Sequence, residues 1–121
     1  MSNQNMVVQS GNLADDPDVR FFPSGDGKVS MRLAINSTYT DRNGDKQKKS
    51  EFFSWLAFGD QVEKLRELKK GAWITFYGHP TVEKWTDKET EKGREAVKFV
   101  VDAFQLHKNG SAEGSGKDYT A

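Results

Sequence analysis

No stretch of this chain limits its fold more than Ser50–Gly59, which reads Ser-Glu-Phe-Phe-Ser-Trp-Leu-Ala-Phe-Gly. In an extended strand successive side chains point to opposite faces. Phe52, Ser54, Leu56 and Phe58 therefore share one side, and Phe53, Trp55 and Ala57 the other. A surface strand of an ordinary sheet keeps its outer face polar. This one carries large rings on both. Either it is a central strand buried on both sides, or one face offers aromatics to a ligand.

The rest of the chain favours many strands joined by turns. Its 121 residues make one domain with one core. Eleven glycines accompany alternating patterns, which points to a β-rich architecture. Residues 6–10 form a first short strand, and Ala-Asp-Asp-Pro-Asp at 14–18 is turn chemistry. Val19–Phe22 is a further extended run that stops at Pro23-Ser24-Gly25. From 28 to 39, Val29, Met31, Leu33 and Ile35 alternate with Ser30, Arg32, Ala34 and Asn36, the mark of a half-buried strand. Asn43-Gly44, a pair preferred in tight hairpins, then links this strand to 50–59 across a basic tip.

Asp60–Lys70 is the one convincing helix, with Asp60 as cap, Glu63 in capping-box position and Gly71 as stop. Val62, Leu65 and Leu68 give it a narrow apolar stripe, while its charged residues form a solvated face. Strands follow at 73–85 and 95–106, joined by a long polar loop over 86–94. Five strands with one helix between the third and fourth is the order of the OB-fold, a partly open Greek-key barrel. The fold class expected is therefore all-β. Residues 1–107 form the barrel domain, and the Gly- and Ser-rich 108–121 a short disordered tail.

Nothing in the chain assembles an active site. It has no cysteine, no phosphate-cradling glycine loop, and two histidines, His79 and His107, without metal-ligand spacing. No enzyme activity, metal or cofactor is expected. Eighteen basic residues balance eighteen acidic ones, so net charge gives no hint of nucleic acid and any such case rests on local patches. No apolar run approaches the roughly 20 residues that span a bilayer, and the N-terminus lacks signal-peptide character, so a soluble, cytoplasmic protein is expected.

Local patches do occur. Proteins that hold single strands without reading sequence combine aromatic platforms with basic side chains along the phosphates. Tyr39 lies beside Arg42, Phe52 follows Lys48-Lys49, and Trp85 follows Lys84 with Lys88 nearby. Phe53, Ile74, Phe76, Phe99 and Phe104 read as core or subunit interface. Trp85, at the end of a polar hairpin, reads as a ligand platform. Pattern alone leaves Phe52 and Phe58 undecided.

Gly11-Asn12-Leu13, Asp16-Pro17-Asp18-Val19-Arg20 and Pro23-Ser24-Gly25 also resemble the opening of bacterial- and phage-type single-stranded DNA-binding proteins. The likeness continues through Leu33-Ala34, Asp41–Gly44, Ser50-Glu51-Phe52, Phe58-Gly59, Leu68–Gly71 and Lys84–Asp87, in the same order. The resemblance implies an OB-fold, usually a homotetramer, that coats and protects single-stranded DNA in replication, recombination and repair. It implies base stacking at Tyr39, Phe52, Phe58 and Trp85. Arg20, Arg32, Arg42, Lys46, Lys48, Lys49, Lys84 and Lys88 are the basic residues expected at phosphates.

The chain departs from the family pattern at Thr81 and Glu83, where arginines are common, and at Phe53, a place associated with subunit packing. Fewer cations imply weaker binding and a shallower dependence on salt. No acidic tip closes the chain, so recruitment of replication or repair enzymes through such a tip is not expected. Two other readings remain. One is a primosomal accessory-type OB protein acting as a protein-binding dimer in replication restart. The other, an OB-fold nuclease, would need a carboxylate-held metal that the sequence does not assemble.

Overall fold

The computed structural model describes residues 3–110. Its elements run β1 (Val7–Leu13), β2 (Asp18–Phe21), β3 (Gly27–Thr40), β4 (Lys46–Phe58), α1 (Gln61–Leu65), β5 (Trp73–Thr86) and β6 (Gly93–Lys108). The sheet order is β1-β5-β6-β4-β3-β2, and a further β1–β3 pairing closes five of these strands into a barrel. The sixth strand, β2, is the extended run at 19–22, paired to the outer edge of β3. The all-β, OB-type architecture expected from the strand order is the one observed.

Trp55 anchors the core. It is fully buried, with its ring 4.9 Å from Phe76 and 5.2 Å from Phe99. Its indole N–H donates to Gln9 Oε1 at 2.9 Å, which satisfies the one polar atom such a residue carries inside. Val29, Met31 and Leu33 from β3 and Ile74 and Phe76 from β5 fill the space around it. Gly78 lets β5 pass close, because a Cβ there would run into the Val100 carbonyl oxygen and the Trp55 ring.

The helix is shorter than the sequence suggests. α1 covers Gln61–Leu65, and Asp60 makes no side-chain cap bond. Glu63 does not reach back to the first turn but pairs with Arg66 at 3.5 Å. Val62, Leu65 and Leu68 recur every third residue, which suits turns closed by i→i+3 bonds better than a sustained α-helix. The Leu68 N–H indeed donates to the Leu65 carbonyl at 3.1 Å, and all three side chains are buried.

Both long hairpins extend further than expected. The loop expected over 86–94 contracts to a turn at 87–92, closed by the Asp87 N–H on the Lys92 carbonyl at 2.9 Å. In the β3–β4 hairpin Gly44 alone takes positive φ, at 82°, and its N–H donates to the Asp41 carbonyl. This is a longer loop ending in a left-handed glycine, rather than the two-residue turn that Asn-Gly favours. β6 runs on to Lys108, so an ordered strand occupies the start of the segment expected to be tail. The remainder, 111–121, lies outside the described residues. No helix among the described residues is long and apolar enough to cross a membrane.

Candidate nucleic-acid interface

Strand register decides which side chains share a face. In β3 and β4 the pairs Lys28↔Phe58, Ser30↔Leu56, Arg32↔Ser54 and Ala34↔Phe52 look outward, and Val29↔Ala57, Met31↔Trp55 and Leu33↔Phe53 inward. Leu56 is registered with Val100 on β6, so the outward face continues onto β6 and then β5. There it carries Lys98 with Thr81, Ala96 with Glu83, and Arg94 with Trp85. Phe52, Phe58 and Trp85 thus lie on one continuous surface. Each ring is about half exposed, at 53%, 44% and 49%.

The two-sided aromatic strand resolves into a buried face and an open one. Trp55 fills the core, and Phe53 packs half-buried against Phe99 at 5.9 Å. Phe52 and Phe58 face solvent. Leu56, between them in the same outward row, is nevertheless buried, so the row is covered at its middle and open at both ends.

Tyr39 stands apart. It is paired with Gln47, five residues along β3 from Ala34, and an odd separation turns it to the opposite side from Phe52. It is 53% exposed and borders a shallow pocket with Thr38, Thr40 and Lys46.

The basic residues divide in the same way. Arg32, Lys46 and Lys48 alternate onto the outward face of the β3–β4 ribbon, as does Arg20 through its partner Lys28. Lys49 turns to the Tyr39 side, and Lys84 to the side away from Trp85. Arg42 and Lys88 occupy the two hairpin turns. Arg20 pairs with Asp18 at 3.2 Å, Arg32 with Asp15 at 2.9 Å and Lys49 with Glu51 at 3.8 Å. Among the described residues, Arg42, Lys46, Lys48, Lys84 and Lys88 make no ion pair.

Sequence reasoning missed Lys28, Arg94 and Lys98, all on the aromatic face. The β3 alternation already set Lys28 opposite Val29, and Lys98 alternates with Val97 and Phe99, so the signal was present. Their surroundings were not legible. Lys98 and Lys28 both hold Glu83, at 2.7 and 3.6 Å, and Arg94 holds Asp87 at 3.4 Å. The bond from Lys98 keeps the Glu83 carboxyl below its ordinary range, against a smaller opposing effect of burial. No group of three or more metal-ligating side chains gathers among the described residues.

A profile of the single-strand binding protein family matches residues 4–107, nearly the whole described barrel. The chain belongs to that family. Family relatives include a single-stranded DNA-binding protein of Deinococcus radiodurans, 36% identical over 88 residues. That match takes in 73% of this chain but 29% of the relative, so this chain spans less than a third of that protein. Single-stranded DNA-binding protein 1 of Xylella fastidiosa is 36% identical over 108 residues, covering 88% of this chain and 79% of its own. Among solved structures, a Plasmodium falciparum SSB complex with ssDNA superposes with a TM-score of 0.74 at 19% identity, covering 88% of this chain and 95% of that one. A deletion mutant of the single-stranded DNA binding protein from Thermus aquaticus gives 0.73 at 26% identity, over 85% of this chain and 50% of that one.

Proposed function

We propose that this protein binds and protects single-stranded DNA without reading its sequence, in replication, recombination and repair. The observation that carries the reading is the shared outward face of Phe52, Phe58 and Trp85, with cations on the same strands and turns. Each base stacked on such a ring contributes roughly 1–3 kcal/mol, and every base has a π-face to offer. Arg42, Lys46, Lys48, Lys84 and Lys88 meet phosphates without first giving up an ion pair. Arg20, Arg32 and Lys49 exchange a carboxylate for a phosphate. Tyr39 serves a second stretch of strand on the far side of the ribbon. The protein acts by binding alone, in the cytoplasm, with no catalytic step.

Self-association is part of the proposal, with a homotetramer as the expected assembly. Val8 and Tyr77 are register partners on β1 and β5, and are 53% and 39% exposed beside the still more exposed Met6. An apolar pair on the outer side of a sheet favours contact with a second copy. Sedimentation at several concentrations reads the assembly directly.

Binding of oligo-dT and of a duplex of equal length, each over a salt series, tests the function. Preference for the single strand and weakening with salt are expected. Equal affinity for both forms would overturn the reading.

A further inference from the structure

Glu83 gathers two lysines on the aromatic face. Its carboxylate takes Lys98 Nζ at 2.7 Å on one oxygen and Lys28 Nζ at 3.6 Å on the other. The three side chains are about a quarter to a third exposed. Lys98 lies on the strand next to Glu83, whereas the Lys28 contact joins strands that are not neighbours, because β6 and β4 lie between β5 and β3 in the sheet. Lys28 is the register partner of Phe58, and Glu83 stands two residues from Trp85 on the same face. The ion cluster therefore lies between two of the three outward-facing rings.

A carboxylate bridging two ammonium groups presents to them what a phosphate diester presents, an anion with two acceptor oxygens. We infer that Glu83 is an internal substitute for a DNA phosphate, which cancels one of the two positive charges of Lys28 and Lys98. Glu83 is then an affinity-setting residue. The cluster keeps one net positive charge, so it neutralises one phosphate where two unpaired lysines would neutralise two. This lowers both the affinity and the number of counterions released, since only newly neutralised phosphates count towards the salt slope. The inference rests on the single-strand reading above.

The test compares wild type, Glu83→Gln, Glu67→Gln and Trp85→Ala for binding to oligo-dT over a salt series. Glu67 is exposed in the turn that follows α1, so its replacement removes the same charge without freeing a cation assigned to the strand. Glu83→Gln should bind several-fold more tightly, with a salt slope steeper by about 0.7 for the one further phosphate neutralised. Glu67→Gln should leave the slope near that of wild type. An unchanged slope in Glu83→Gln, or equal gains in both variants, overturns the inference. Weaker binding in Glu83→Gln also overturns it, and would make the cluster a brace for the hairpin. Thermal melting of each variant separates loss of fold from loss of binding. If Trp85→Ala binds like wild type, the single-strand reading itself fails, which is a different result.

Discussion

The guanidinium of Arg32 lies over the ring of Phe52, 4.9 Å from its centroid, while its Nε and Nη2 hold Asp15 at 2.9 Å. One face of the Phe52 ring is thus covered by a cation that Asp15 holds in the free protein, and the opposite face is the one proposed for a base. Phe52→Ala should weaken oligo-dT binding by about 1–3 kcal/mol, or roughly five- to 150-fold. Its melting temperature should hardly move, because the ring is half exposed. Binding isotherms and thermal melts of the same preparation check both halves.

Gly78 is the tightest point of the barrel. Any Cβ there meets the Val100 carbonyl oxygen and comes within 2.8 Å of the Trp55 ring. Neither neighbour can move without disturbing the core. Gly78→Ala should cost at least the roughly 1–3 kcal/mol typical of overpacking. Urea unfolding followed by circular dichroism would register this as a lowered midpoint.

Gln9 matters for one bond. Removing its side chain leaves the buried Trp55 N–H without its acceptor, a loss of about 1–3 kcal/mol. Gln9→Ala should lower stability and leave oligo-dT affinity of the folded protein unchanged. Comparison of denaturation and binding for this variant separates the two.

Much of the barrel was legible because its signals are local. Val29, Met31, Leu33 and Ile35 alternate over a whole strand, and Gly71 takes the positive φ, 92°, of a chain that turns sharply. The helix was misjudged because three leucine and valine side chains at a spacing of three satisfy a short turn as well as a stripe. Trp85 was singled out by its place on a polar hairpin, whereas pattern left Phe52 and Phe58 open and only the family resemblance named them. That Tyr39 faces away from Phe52 follows from register, which fixes faces only once the partner strand is known. The Lys28 half of the Glu83 cluster was not legible, since β3 and β5 are not neighbours and these side chains meet only when the sheet curls, whereas Lys98 and Glu83 are diagonal neighbours across one hairpin.

Asp41 organises the β3–β4 tip. Its carboxylate accepts from the Asp45 and Asn43 N–H groups at 3.0 and 2.9 Å and from Gln47 at 3.0 Å. The Asp45 backbone bond, then the Gln47 side chain, hold its pKa below the ordinary 3.8. A carboxylate with a depressed folded-state pKa stabilises above its unfolded value and loses that contribution as pH falls through the folded one. The tip should therefore be fully ordered at neutral pH and loosen only below pH 3.8. NMR titration of the Asp41 carboxyl, with the Asn43 and Asp45 amide shifts, should show one common midpoint below that value. A midpoint at or above it would contradict the arrangement.

The most direct test of the central claim uses the protein's own tryptophans. Trp55 is fully buried and Trp73 half-buried, whereas Trp85 is 49% exposed on the face proposed for DNA. Fluorescence of wild type and Trp85→Phe is followed while oligo-dT is added at two salt concentrations. The account predicts saturable quenching in wild type that weakens at high salt, and almost none in Trp85→Phe although that variant still binds by anisotropy. Quenching that persists undiminished in Trp85→Phe, or a wild type that binds without quenching, would contradict it.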